Sequence, residues 1–199
     1  MAGNATLADL LITLDQRAGR SFHRDAKISY LQEALDWISA EDDWPWLFGT
    51  TTIPTVANQR NYTLPTDLGD LYGVIVDGTE YKPNSHRDLR RDIPAYSPSY
   101  ALEGGNLVIE PTPTAAGLNI VVTYKKVEAR LVNDNDSPLI PESWRFVLIE
   151  AALANMLERG GATERRRQND ADKVDRLIGR MRSGAMRQRR GPFLARVRW

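Results

Sequence analysis

The sequence predicts an α+β fold: a helical bundle built from N- and C-terminal helices, an inserted small antiparallel β module, and an extended C-terminal arm. Three observations predict it. Apolar residues recur at helical spacing near both ends; the middle of the chain changes to short β-rich runs broken by turn residues; and residues 185–199 fit neither pattern. The expected segments are 1–49 for the N-terminal helices, 50–133 for the β module, 134–183 for the C-terminal helices and 184–199 for a partner-binding arm.

Taken in order, Thr6 and Asp9 have the spacing of a capping box ahead of Leu7, Leu10, Leu11 and Leu14. Gly19 interrupts this helix. Ser21 is positioned to cap a second one, in which Ile28, Leu31, Leu35 and Ile38 share a face up to about Asp43. Pro45 stops it, within the aromatic cluster Trp44, Trp46 and Phe48, which reads as a packing plug rather than a binding platform. Strands are expected at Thr50–Ile53, Asn61–Leu64 and Leu71–Val76, with Asp77-Gly78 as a two-residue hairpin turn into Glu80–Lys82. A less regular polar stretch, Pro83 to Pro98, precedes a second hairpin through Gly104-Gly105 and a last strand from Leu118 to Tyr124. Helix returns at Pro141 and Glu142, with a stripe of Trp144, Val147, Leu148, Ala151 and Ala152. Gly160-Gly161 ends it, Thr163 is placed to cap the next helix, and Ala171, Val174, Ile178 and Met181 form that helix's narrower face before Ser183-Gly184 closes it.

Composition bounds the function. With 199 residues, 42% hydrophobic and 26% charged, the chain belongs to the soluble, folded class. No cysteine is present, which removes disulfide scaffolds, thiol chemistry and cysteine-ligated metal sites. Neither a membrane helix nor a signal peptide is expected. The net charge of zero is unevenly distributed. Residues 160–199 carry twelve basic against four acidic side chains, a net +8 that leaves −8 on residues 1–159. A basic end on an acidic body fits a phosphate-rich partner, an acidic protein surface or a copy of the same chain.

Catalytic readings fail on spacing. His23-Arg24-Asp25 has the letters of a kinase catalytic loop but Tyr30 where that loop needs Asn, so it reads as a solvated first turn. Asp134-Asn135-Asp136 begins like a calcium loop, yet its sixth and twelfth positions are Leu139 and Arg145, so it reads as a turn capping the next helix. Glu41-Asp42-Asp43 points three carboxylates in different directions. His23 and His86 alone make no zinc site. No phosphate loop, dinucleotide fingerprint or nucleophile elbow occurs, so no catalytic residue, cofactor or metal is expected and the chain reads as a non-enzyme.

The tail is the most informative segment. Arg187, Arg189 and Arg190 precede Gly191-Pro192, then Phe193, Leu194, Ala195, Arg196, Val197, Arg198 and Trp199. In an extended chain Phe193, Ala195, Val197 and Trp199 fall on one side and Arg196 and Arg198 on the other. The candidate partner-binding residues are therefore Arg187, Arg189, Arg190, Pro192, Phe193, Leu194, Val197 and Trp199. Anchoring to a partner protein ranks first, folding back onto the acidic body second, and nucleic-acid binding through the basic segment third.

Several segments in order carry a resemblance: Ala40–Leu47 running into Thr50–Ile53; Tyr62-Thr63-Leu64-Pro65-Thr66-Asp67; Val74–Gly78; Leu107–Pro113; and Leu139-Ile140-Pro141-Glu142-Ser143-Trp144 opening a helix. Over nearly its full length the chain resembles the head-to-tail adaptor (connector) proteins of tailed bacteriophages, most of all the group that includes the tail tubular adaptor of short-tailed phages. The resemblance implies a structural virion protein at the head–tail junction. It implies a dodecameric ring of copies beneath the portal protein, continuing the DNA channel toward a downstream tail, stopper or nozzle protein, with DNA passing unread and no membrane involved. It also implies an arm that docks on the portal, in agreement with the reading of Arg187 to Trp199.

Overall fold

The computed structural model describes residues 5–19, 21–84, 98–159 and 164–189, with side chains described at all of these except 158–159, 164–167 and 187–189. The chain divides into two compact units, one formed by residues 1–47 and 128–199, the other by Phe48–Val127.

In the first unit, α1 (Leu7–Ala18) opens with the capping box read from the sequence. The Thr6 hydroxyl accepts from the Asp9 N–H while the Asp9 carboxylate accepts from the Thr6 N–H, and Gly19 closes the helix in the left-handed region at φ 66°. α2 (Arg24–Glu41) begins two residues later than a Ser21 cap would place it; its N-cap is His23, which makes no side-chain cap bond. After Pro45–Leu47, a single 3-10 turn, the chain leaves for the second unit and returns through another 3-10 turn, Glu142–Trp144, into α3 (Arg145–Arg159). α4 (Glu164–Arg189) completes the unit. Helices α1, α2 and α4 all pack on α3. Their core gathers Leu7, Leu14, Leu31, Leu35, Ile38, Leu148, Ile178 and Met181 with Trp44 and Leu47. Ala171, expected on that face, is exposed, and Ala185, one turn past Met181, is buried instead.

α4 also runs through Ser183-Gly184, where the sequence reading ended it. The cause is packing: a Cβ on Gly184 would lie 2.6 Å from the Trp144 ring, so the residue is glycine to admit the indole, not to stop a helix. The helix is accordingly described as far as Arg189, six residues beyond the expected end at Ser183.

The second unit overturns the expected fold class. It is not a small antiparallel module on a helical bundle; over the described residues the protein is a mixed α/β structure with four helices and a curled seven-stranded sheet. The strands are β1 (Phe48–Pro54), β2 (Asn61–Thr63), β3 (Leu68–Val76), β4 (Thr79–Pro83), β5 (Ser99–Glu103), β6 (Asn106–Glu110) and β7 (Asn119–Lys126), ordered β1-β7-β3-β4-β5-β6-β2. Both hairpins occur as read, with Asp77, Gly78, Gly104 and Gly105 all at positive φ, the geometry that primed two-residue turns require. The remaining pairings are long-range. β7 runs antiparallel between β1 and β3, β2 pairs with β6, and β4 lies parallel to β5. A parallel pair needs a crossover of a dozen or more residues, and residues 84–98 supply that length. A flat sheet of seven strands would be about 29 Å wide. Here residues of β2 to β7 share one cluster, including Tyr62, Val74, Tyr81, Tyr100, Leu107 and Val122, with Ile53 of β1 packed against it, so the sheet wraps around its own core.

Candidate functional site

The sequence clusters that mimicked catalytic motifs all have structural positions. His23 and Asp25 stand at the exposed start of α2, their side chains 79% and 84% accessible. His86 and the polar stretch over 85–97 lie outside the described residues, as do the Gly160-Gly161 stop and the Thr163 cap. Trp44 is 1% exposed, stacks on Trp46 at 5.0 Å, and donates its indole N–H to the Ile38 carbonyl, as a packing plug does.

The Asn133–Asp136 turn caps α1 rather than the helix that follows it. The Asp136 and Asp134 carbonyls accept from the Leu7 and Ala8 N–H groups, two of the donors a helix leaves unpaired at its start. The turn is held by the Asp136 carboxylate, which accepts from the Asn133 and Val132 N–H groups; these bonds hold that carboxyl below the usual range. Spacing alone could not separate capping of a later helix from capping of one far earlier in the chain.

The acidic end of α2 meets a cation that the sequence reading did not pair with it. Arg182 of α4 donates to the Glu41 carboxylate at 2.7 Å and to the Glu41 carbonyl at 2.8 Å, and lies 3.4 Å from Asp42. Glu150 of α3 similarly bridges Arg17 of α1 and Lys173 of α4. Lys27, buried on α2, pairs with Asp15 at 2.6 Å and holds that carboxyl below its ordinary range. These pairs join helices distant in sequence, so no local pattern announces them. Glu128 runs the other way: burial pushes its carboxyl up, although its Oε1 accepts the Leu139 N–H at 2.6 Å. Arg145, 6% exposed at the start of α3, has no hydrogen-bond partner for Nε or Nη1.

Among the described residues no group of three His, Asp or Glu side chains is placed to hold a metal, and no helix is long and apolar enough to cross a membrane. Among the described residues, the clefts on the helical unit include three. One of about 320 Å³ is lined by Trp37, Ala151 and Ala171, a second of about 250 Å³ by Glu150, Asp170 and Lys173, and a third of about 490 Å³ by Asp25, Asp36 and Val132.

Of the arm residues, Arg187 and Arg189 fall in the last turn of α4, with side chains beyond those described. Arg190, Pro192, Phe193, Leu194, Val197 and Trp199 lie outside the described residues.

The family model described as SU10 adaptor protein matches residues 5–197, so it covers both units and extends into the tail. The chain belongs to the SU10 adaptor protein family. It is a phage head-to-tail adaptor, a structural component of the virion. No curated protein matches the adaptor. The ordered segments that carried the resemblance occupy the joints of the adaptor's fold. Ala40–Leu47 spans the end of α2 and its aromatic plug, Val74–Gly78 a hairpin, and Leu139–Trp144 the entry to α3.

Proposed function

We propose that copies of this adaptor form a dodecameric ring beneath the portal protein, continue the DNA channel and hand it to a tail, stopper or nozzle protein below. Membership of an adaptor family over residues 5–197 carries this reading, because it embraces the basic tail as well as the folded units. The charge distribution supports it: a −8 body and a +8 end on a chain of zero net charge suit contacts between proteins more than a grip on DNA, which would hinder ejection. The mechanism is assembly. Each copy brings a folded helical unit, with its ion pairs and aromatic plug already formed, and the segment from Arg190 to Trp199 that follows α4 docks on the portal. Burying Phe193, Val197 and Trp199 there is worth roughly 1.5–3 kcal/mol each before ordering costs.

The test is co-elution of the portal from the same genome with the intact adaptor and with a chain ending at Arg190. Ending the chain at Ser183 would remove buried Ala185 and the Gly184 seat of Trp144, confounding arm loss with misfolding. The intact chain is expected to join the portal and the shortened one to fail. Failure of both forms, with duplex binding that falls steeply with salt, would instead favour a nucleic-acid-binding role for the basic end.

A further inference from the structure

The largest of the three clefts lies against α2, between that helix and residues 130–132. Its lining combines the apolar Ile28, Leu131 and Val132 with Ser29 and the buried Gln32. Ile28 is half-buried and Val132 is 66% exposed, the most open large hydrophobic residue among those described. Its rim carries three carboxylates of α2, Asp25, Glu33 and Asp36, together with the Arg130 guanidinium, and Asp36 also accepts from Gln32 Nε2 at 2.9 Å. The same negative field reaches inward, since after burial the Asp36 charge is what raises the Glu128 carboxyl. An apolar strip edged with carboxylates fits a peptide that alternates apolar and cationic side chains.

This chain contains such a peptide. Arg196 and Arg198 alternate with Ala195, Val197 and Trp199, and Arg190 precedes Phe193 by three positions, within an end of net charge +8 opposite a body of −8. Asp25 and Asp36 are about 16 Å apart along a helix, and the seven residues from Arg190 to Arg196, six steps of the chain, cover about 20 Å when extended. The two charge patterns therefore match in length as well as in sign.

We propose that this α2 groove is the seat for residues 190–199 of a second copy of the adaptor. In a ring, every copy offers one groove and one tail, so a head-to-tail contact of this kind repeats and closes without a further partner. The proposal rests on reading the tail as a partner-binding arm and names a receptor for it within the ring; the portal then competes for the same segment.

A photo-reactive benzophenone side chain introduced at Val132 of the full-length protein, with isotopically light and heavy copies mixed, reads the contact directly. Cross-links are expected between Val132 of one copy and residues 191–199 of another, as light–heavy pairs. They should fall about tenfold in an Asp25→Lys/Asp36→Asn variant whose thermal melt matches the parent, and fall likewise at high salt. Cross-links confined to one chain, mapping elsewhere, or indifferent to the charge changes would overturn the proposal. The charge variant is expected still to co-elute with the portal. If the intact adaptor never binds the portal yet the light–heavy pairs persist, the groove assignment stands and the portal reading falls.

Discussion

Gly184 and Gly179 are both glycines inside α4, but they differ in what a side chain would meet. At Gly184 the Trp144 ring is 2.6 Å from an added Cβ; at Gly179 nothing lies within 4 Å. Gly184→Val is therefore expected to cost about 1–3 kcal/mol of stability, whereas Gly179→Ala should gain about 0.5–1 kcal/mol from helix propensity and a less flexible unfolded chain. Parallel denaturant melts check the opposite signs. Arg145 offers a second residue-scale test. A buried guanidinium with two unpaired nitrogens costs more than a thioether of similar length, so Arg145→Met should stabilise the protein by about 1–3 kcal/mol, seen as a higher melting midpoint. Glu128 adds a pH dependence. Its folded carboxyl is held above the ordinary value of 4.5, so its unfavourable contribution is absent below that value and develops as pH rises through the folded value. Glu128→Gln, which keeps an acceptor for Leu139, should stabilise the protein at neutral pH and lose that advantage near pH 4, as melts at the two pH values would show. Neither Gly184 nor Arg145 was legible in the sequence. A glycine near the end of a helical pattern ordinarily marks a C-cap, and only the ring of a tryptophan forty residues earlier gives this one another purpose.

At the scale of elements, the signals that read correctly were local. The capping box of α1, the aromatic plug after α2 and the two positive-φ hairpin turns each depend on residues within a few positions of one another. Thr6→Ala removes the hydroxyl half of that cap and is expected to cost about 1 kcal/mol in a thermal melt. Asp9 also has its carboxyl lowered by the Thr6 N–H and hydroxyl. Its contribution is present above the unfolded carboxylate value and is lost as pH falls through the folded one. The cap difference between Thr6→Ala and parent should therefore shrink in acid. What the sequence did not yield was pairing between distant elements. The β7 strand was visible as an apolar alternation, but its place between β1 and β3 depends on residues fifty and seventy positions away. The parallel β4–β5 pair was missed for the same reason: Tyr81 and Tyr100 show strand character without indicating which way the neighbour runs. An antiparallel module was the reading hairpins alone support, and the long-range ladders replaced it with a mixed sheet curled around Tyr62, Val74 and Leu107.

For the whole molecule, the adaptor family was legible where the fold class was not, because the resemblance was carried by an ordered set of short segments rather than by topology. The helical unit contains the α2 groove and the Arg182 clasp on Glu41 and Asp42. The basic end that follows α4 is the part of the sequence most plainly suited to another protein. The central claim is that this adaptor stands as a ring between portal and tail. A cryo-electron microscopy map of the head–tail junction of the intact virion tests it most directly. The account predicts a closed ring of density immediately below the portal, into which both units of this chain fit and from which segments matching residues 190–199 extend. Density for the chain inside the capsid, or a portal contacting the tail with no such ring between them, would contradict it.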